Sequence, residues 1–168
     1  MIASFMCLVG SAIGPAAVCL GGIGSWSNYS TIWFTWLMGD LVGVLVFSPM
    51  LVIWSRLGSV KWNWSRAAEA AALFTMVFVV GWTIYSDWAS EHFLFSQSYL
   101  VIPLLLWAAL QFGTREVTIV VVLSSGIAVW ETIHGNGPFV AGSLNVSLLS
   151  LQGYVSLISI TFLTLSLA

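Results

Sequence analysis

The chain has 168 residues, of which 60% are hydrophobic and only 6% are charged. Soluble domains carry about 25% charged residues, so four basic and six acidic side chains cannot cover a soluble surface of this size. Four Lys and Arg residues also form no basic patch, which excludes nucleic acid as a partner. The composition therefore predicts an integral membrane protein whose main partner is the lipid bilayer, and it argues against a cytosolic enzyme.

Long apolar runs predict transmembrane helices, each of which needs about 20 mostly apolar residues. Six candidate spans are found, at residues 1–22, 31–54, 67–85, 93–112, 117–134 and 147–168. Barrel strands would be about 10 residues long and would alternate apolar with polar residues, whereas these runs are continuous. The predicted fold class is an all-α, polytopic membrane bundle of about six helices, with residues 1–168 forming a single membrane-embedded domain.

The few cations predict the orientation of the chain. Arg56, Lys61 and Arg66 fall between the second and third spans, and Arg115 falls between the fourth and fifth. The other connections hold no Lys or Arg. Because Lys and Arg concentrate in cytoplasmic loops, this alternation predicts that both termini are cytoplasmic and that the protein crosses the membrane several times.

The two ends of the sequence and its cysteines carry less information. The first apolar run has no charged flank and the last has no cationic cap, so we expect a truncated domain without an output domain. Cys7 and Cys19 both lie in the first run, where they are interpreted as small hydrophobic residues rather than a disulfide pair or metal ligands.

Asp40 is the most informative polar position. It lies nine residues into the second span, roughly 13 Å below its outer end, where a carboxylate is costly and normally faces a bundle interior or a wet cavity. Trp33 and Trp36 share its helical stripe, and Gly39 with Gly43 forms a G-x-x-x-G pair that permits close helix approach. Asp40 is therefore predicted to face the bundle interior. Two interpretations of its role stay open: a ligand or proton site walled by aromatic rings, and a purely structural hydrogen bond to a neighbouring helix.

A second polar group lies near the predicted outer surface. Glu131 and His134 are three residues apart at the end of the fifth span, and Asp87, Glu91 and His92 precede the fourth. Together they could bind a metal, but the spacing is poor and side chains that simply face water are the favoured interpretation. The sequence therefore predicts no catalytic set, no cofactor site and no metal site.

The second span also resembles a known family. It fits the pattern W-x-x-W-x-x-G-D-x-x-G, followed by a proline, which is typical of the MASE1 family of bacterial membrane-associated sensor domains. The residues that match this pattern are Trp33, Trp36, Gly39, Asp40, Gly43 and Pro49. Residues 103–115 and 134–139 resemble two further motifs of the family, in the same order.

The resemblance implies a sensory domain of the bacterial inner membrane that precedes a cytoplasmic histidine kinase, diguanylate cyclase or phosphodiesterase. It also implies that the six matching residues form the core motif, and a homodimer is a further possibility. The usual N-terminal helices of the family, with their Trp-Pro-Pro-rich segment, are missing, so the chain is expected to correspond to the C-terminal portion.

Three function classes are considered, of which a membrane enzyme is disfavoured because no catalytic set is visible in the sequence. The leading hypothesis is a sensory input module that works through a ligand-biased shift among helix arrangements. The alternative is a small transporter or permease component, which Asp40 and the intramembrane prolines would fit. Transporters usually show internal repeats and broken helices, and neither is visible in this sequence.

Overall fold

The computed structural model describes residues 2–55, 63–85 and 100–167, with side chains from residue 5 onward. Within these ranges the chain forms six α-helices and no strand, so the predicted all-helical class is confirmed. A short 3₁₀ turn at Trp26–Asn28 leads into the second helix. The helices are α1 (Ile2–Leu20), α2 (Tyr29–Ser55), α3 (Trp64–Tyr85), α4 (Val101–Gln111), α5 (Thr114–Ile133) and α6 (Leu144–Leu165).

Four stretches of the described chain are long and apolar enough to cross a membrane. They are Trp26–Ser55, Trp64–Tyr85, Thr114–Ile133 and Leu144–Leu165, and Phe5–Leu20 and Val101–Gln111 are shorter apolar helices. At 1.5 Å per residue, the 11 residues of α4 extend about 16 Å, roughly half of a hydrocarbon core. The chain is therefore a membrane protein with at least four candidate spans, and the count of six remains a prediction.

Several sequence predictions lie outside the described residues. Arg56 and Lys61 of the predicted inner loop belong to this group, as do Asp87, Glu91 and His92 of the predicted outer loop. The first part of the predicted fourth span, residues 93–99, also lies outside. Pro103, which was predicted to lie inside that span, occupies the first turn of α4, where a missing backbone donor costs no helical hydrogen bond.

Helix α5 lies at the centre of the bundle, where it packs against α2, α3, α4 and α6. Its interior position requires that its polar side chains be satisfied, since unpaired polar groups are costly in an apolar surrounding. Thr118, Ser124 and Thr132 each donate a hydrogen bond to a carbonyl three or four residues earlier in the same helix. The apolar core around α5 includes Leu105 on α4, which is fully buried.

The two ends of the bundle are identified by contacts between helices. At one end, the Arg115 guanidinium lies 5.6 Å from the centre of the Trp54 ring, and the Thr114 hydroxyl donates a 3.1 Å hydrogen bond to the Ser166 carbonyl. We call this the Arg115 end. At the other end, Gly137 lies directly against the backbone of Tyr85, and we call this the Tyr85 end. Helices α2 and α6 therefore finish at the same end of the bundle, where α5 begins.

Helix α1 packs against α2 through small and polar residues. Cys7, Ser11 and Cys19 are buried along one side of α1, and the Tyr29 hydroxyl donates a 3.0 Å hydrogen bond to the Ala12 carbonyl. Both cysteines are free, and 12 residues of helix separate them by about 18 Å, too far for a disulfide. Their burial in the α1–α2 interface is what small hydrophobic residues would show.

Candidate functional site

Two side chains of the predicted motif lie against glycines of α1. The Trp36 ring rests on Gly14 so closely that a Cβ atom there would overlap the ring. One turn further along α2, the Asp40 Oδ2 atom lies 3.5 Å from the position that a Cβ atom of Gly10 would occupy. The glycines of α1 thus let the indole ring and the carboxylate approach its backbone, as small residues do at membrane helix interfaces.

The prediction that Asp40 faces the bundle interior is wrong for the described part of the chain. Its side chain is exposed beside α1, and 44% of the Trp36 surface is exposed as well. The buried stripe of α2 instead includes Leu37 and Val46. The physical reason is that α1 covers only one edge of α2, so the face that carries Asp40 lies at the rim of the described bundle.

The other motif residues occupy different surroundings on the same helix. Trp33, Gly39, Gly43 and Pro49 are all half-buried, and α2 continues through Pro49 without interruption. The motif residues therefore do not all face the same neighbour. Trp36 and Asp40 face α1, whereas Gly39 and Gly43 face α5 and α6.

Gly39 lies beside a side chain from α6. The Gln152 amide donates a 3.2 Å hydrogen bond from Nε2 to the Thr35 carbonyl of α2. A Cβ atom at position 39 would come within 3.1 Å of this nitrogen. A side chain at position 39 would therefore push the amide nitrogen away by a few tenths of an ångström. In contrast, the space beside Gly43 is open, with no atom within 4 Å of a Cβ position.

This open space belongs to a cavity of about 400 Å³ between α2, α5 and α6, which we call the central cavity. Gly39 and Gly43 form its α2 side, Ser125 and Gly126 lie on α5, and Gln152 lies on α6. The other lining residues are apolar, and none of the lining residues carries a charge. The volume falls in the range of small-molecule sites, which are mostly apolar with a few placed polar groups.

Two buried polar atoms in residues that line the central cavity have no hydrogen-bond partner among the described residues: the Ser125 hydroxyl oxygen and the Gln152 Oε1 atom. Thr118, Ser124 and Thr132 of α5 bond to their own helix, whereas the Ser125 hydroxyl does not. Sequence reasoning selected neither Ser125 nor Gln152. The sequence does not show which hydrogen-bond partner a serine in an apolar run will have.

Glu131 and His134 lie near the Tyr85 end but do not form a common site. Glu131 is buried, with 4% of its surface exposed, and its carboxylate accepts a 2.9 Å hydrogen bond from the Asn136 amide. His134 is exposed and stacks on Trp130, with ring centres 4.4 Å apart. The favoured water-facing interpretation is therefore wrong for Glu131, because the loop after α5 folds back over it. Within residues 2–55, 63–85 and 100–167, no metal-binding cluster of His, Cys, Asp and Glu occurs.

An aromatic cluster at the same end was also missed from the sequence. Tyr85 is almost fully buried, and its hydroxyl lies 3.0 Å from that of Tyr154. The Phe139 ring packs against both, with ring centres 6.0 Å from Tyr85 and 4.9 Å from Tyr154. This cluster joins α3, the loop before α6, and α6 itself, and it thereby fixes the Tyr85 end.

Comparison with protein families matches residues 2–168 to MASE1. The chain belongs to the MASE1 family. MASE1 domains are membrane-associated sensor domains rather than catalytic ones, which agrees with the apolar helices described above. No curated protein and no solved structure matches the chain. The resemblance seen in the sequence is confirmed over essentially the whole chain.

Proposed function

We propose that this MASE1 domain is the sensory input module of a bacterial inner-membrane signalling protein. It would relay a signal to a cytoplasmic histidine kinase or to an enzyme of cyclic-di-GMP metabolism, in a protein that acts as a homodimer. The observation that carries the proposal is the family match over residues 2–168.

The proposal includes six membrane spans with both termini in the cytoplasm. Its support is that Arg115 lies at the same end of the bundle as Trp54, in the last turn of α2, and Ser166, which follows the last turn of α6. Arginine is enriched on the cytoplasmic side, so the Arg115 end is assigned there. The Tyr85 end, with the loop that contains Asn136, is then assigned to the outside.

Helix α6 is the element proposed to carry the signal. Near its middle, Gln152 bonds to the backbone of α2, and near its last turn the Ser166 carbonyl accepts a hydrogen bond from Thr114 of α5. A change in packing among α2, α5 and α6 is therefore linked to the last turn of α6, where an output domain would continue. Interfaces of this kind shift between discrete arrangements rather than deforming continuously.

The first experiment is to determine the reading frame of the native gene beyond codon 168. We expect it to encode a kinase or a cyclic-di-GMP enzyme. A frame that encodes transporter helices would instead support the permease alternative and contradict the sensory proposal.

The second experiment measures the activity of that output enzyme in membranes that contain Asp40→Asn or Asp40→Leu. An acid facing lipid costs about 3 kcal/mol on insertion scales, so we expect its charge or its hydrogen bonding to be used. Loss of output control in both variants identifies the charge as the requirement, whereas loss in the leucine variant alone identifies hydrogen bonding. Glu69→Leu is the control, since Glu69 is an exposed acid of α3. Normal signalling in both Asp40 variants would remove Asp40 from the proposed site.

Orientation can be tested by cysteine labelling in a variant without Cys7 and Cys19. We expect an impermeant maleimide added outside the cell to label Pro138→Cys but not Gln111→Cys, both at exposed positions. The reverse pattern would overturn the proposed topology.

A further inference from the structure

The Arg115 side chain is only partly satisfied by the part of the chain that the structure describes. Its guanidinium lies 5.6 Å from the centre of the Trp54 ring, within the range of a cation–π contact. The Nε atom is buried and has no hydrogen-bond partner among the described residues, whereas the side chain as a whole is half-buried. The two terminal nitrogens are therefore the part that reaches the surface. A guanidinium carries five N–H donors and a permanent positive charge, so these nitrogens call for an anionic acceptor.

The acids nearest in the chain do not supply this anion. Glu116 follows Arg115 directly, but its Oε2 atom accepts a 3.1 Å hydrogen bond from the Gly113 backbone N–H. Glu69 is exposed on α3, and no ion pair joins Arg115 to an acid within the described ranges. Residues 56–62, which follow α2 at the Arg115 end, contain no acid in the sequence.

The other four acids are far from the Arg115 end. Asp40 lies near the middle of α2, and Glu131 lies at the Tyr85 end. The last two follow Tyr85 in the sequence, and Glu91, the more distant of them, is six residues beyond it. Six residues span at most about 21 Å, whereas the 22 residues of α3 extend about 33 Å. The chain therefore supplies no anion for Arg115, and an external one is required.

The depth of the guanidinium matches that of lipid phosphate groups. Trp54 is twelve residues beyond Val42, the middle residue of α2, which corresponds to about 18 Å along the helix. The hydrocarbon region of a bilayer ends about 15 Å from its midplane, and the headgroup region ends about 20 to 22 Å from it. With the middle of α2 at the midplane, the Arg115 guanidinium on the Trp54 ring lies between these limits.

An exposed apolar stripe runs from this position toward the middle of the membrane. Trp54, Leu51 and Phe47 are spaced by three and four residues, so they share one face of α2, and all three are exposed. We call them the α2 stripe. In a membrane this stripe contacts acyl chains, so the molecule that stands beside Arg115 is a lipid.

From the charge, the depth and the α2 stripe we infer that the Arg115 end binds an anionic phospholipid. Its phosphate accepts hydrogen bonds from both terminal nitrogens of Arg115, because a guanidinium is suited to bidentate contact with phosphate and Nε is buried. One acyl chain lies along the α2 stripe. A zwitterionic phospholipid is a weaker ligand, because its own ammonium group balances the charge of its phosphate.

The test compares dioleoyl phosphatidylglycerol with dioleoyl phosphatidylcholine, which share both acyl chains and differ in net charge. The full chain is purified in dodecyl maltoside, each lipid is titrated in, and native mass spectrometry measures the dissociation constant of the first lipid retained. We expect phosphatidylglycerol to bind about tenfold more tightly, since a hydrogen bond to a charged group discriminates by at least this factor. Equal affinities for the two lipids would overturn the inference and leave a protein carboxylate as the anion.

A third probe, sn-glycerol 3-phosphate, carries the phosphate without acyl chains. We expect the chain not to retain it, because the α2 stripe contributes nothing to its binding. Retention as tight as that of phosphatidylglycerol would assign the site to a soluble phosphate and contradict the lipid.

Arg115→Gln removes the charge of the site, and Arg66→Gln is its matched control. Arg66 is exposed in the first turn of α3, which begins at the same end of the bundle. We expect Arg115→Gln to weaken phosphatidylglycerol binding about tenfold and to leave phosphatidylcholine binding unchanged. Arg66→Gln should change neither affinity by more than about twofold, since exposed charges contribute little. Equal effects of the two substitutions would show that surface charge in general attracts the lipid, and would overturn the inference.

Arg115→Lys keeps the positive charge and so protects the test against a glutamine variant that fails to fold, which circular dichroism would reveal. A lysine ammonium lacks the planar fork of the guanidinium, so we expect phosphatidylglycerol to bind about threefold more weakly. Wild-type affinity in the lysine variant would refute bidentate binding of the phosphate.

A consequence for α6 rests on the proposed sensory function. Thr114, next to Arg115, donates its hydrogen bond to the Ser166 carbonyl, so a lipid that holds Arg115 also steadies the last turn of α6. Phosphatidylglycerol should slow amide hydrogen exchange in that turn of the wild-type chain but not of the Arg115→Gln variant. Binding of the lipid without slower exchange would retain the site and contradict only its link to signalling.

Discussion

Gly137 offers a quantitative test of how the Tyr85 end is held together. Its φ angle is +86°, and a Cβ atom there would lie 2.5 Å from the Tyr85 carbonyl oxygen. Gly135 has a similar φ of +83°, but nothing lies within 4 Å of its Cβ position. Alanine at either position suffers the same backbone strain, and only Gly137→Ala adds a collision with backbone.

The expected magnitudes follow from these two differences. The left-handed conformation costs alanine about 1 to 2 kcal/mol, and the loss of unfolded-state entropy offsets up to about 1 kcal/mol of it. Gly135→Ala should therefore lower the free energy of unfolding by about 1 kcal/mol. At Gly137 the loop must also move away from Tyr85, and Phe139 would lose ring contacts worth about 0.5 to 1.5 kcal/mol each. We expect a loss of about 3 kcal/mol for Gly137→Ala.

Thermal unfolding in a mild detergent, followed by circular dichroism, measures the difference. For a chain of this size, 1 kcal/mol corresponds to about 2 to 4 °C in Tm. Gly135→Ala should lower Tm by about 3 °C and Gly137→Ala by about 9 °C. Equal decreases would show that the contact with Tyr85 contributes nothing and that backbone strain alone explains the glycine.

Two further predictions concern α1 and the Arg115 end. Gly14→Ala should force the Trp36 ring off α1 and increase the reaction rate of the buried α1 cysteines with maleimide about tenfold. This factor corresponds to a change of about 1.4 kcal/mol in the free energy of exposing the cysteines. Gly10→Ala meets only an ordinary contact and should leave the rate unchanged. Thr114→Val should remove the hydrogen bond to Ser166 and lower the free energy of unfolding by about 1 kcal/mol. Amide hydrogen exchange in the last turn of α6 should become faster. Unchanged exchange there would show that this bond does not hold the end of α6 in place.

The sequence predicts the helices well because membrane spans are determined by length and apolarity alone. The predicted second span, residues 31–54, lies within two residues of α2, and the predicted third span ends with α3 at Tyr85. Helical periodicity also placed Trp36 and Asp40 on a common face of α2. Which neighbour that face would meet could not be predicted, since lipid and protein interiors are similarly apolar and give no pattern of their own. For this reason Asp40 was assigned to the wrong side.

The central cavity could not be predicted from the sequence, for a related reason. Its polar residues, Ser125 and Gln152, come from two helices, and their significance depends on the partners they lack. Ser124 and Ser125 are adjacent and chemically identical, yet only Ser124 bonds to its helix. A distinction between two adjacent serines exists only in three dimensions.

The bond from Gln152 to the Thr35 carbonyl has an evolutionary consequence. The amide donates its hydrogen bond to a backbone carbonyl, which every residue type supplies. The side chain at position 35 can therefore vary without loss of this hydrogen bond. Position 39 is not free, because a side chain larger than that of glycine would displace the amide nitrogen that lies 3.1 Å from its Cβ position. Among aligned MASE1 sequences, a long amide at position 152 should therefore coincide with glycine at position 39. Chains with a bulky residue at position 39 should carry a shorter side chain at position 152.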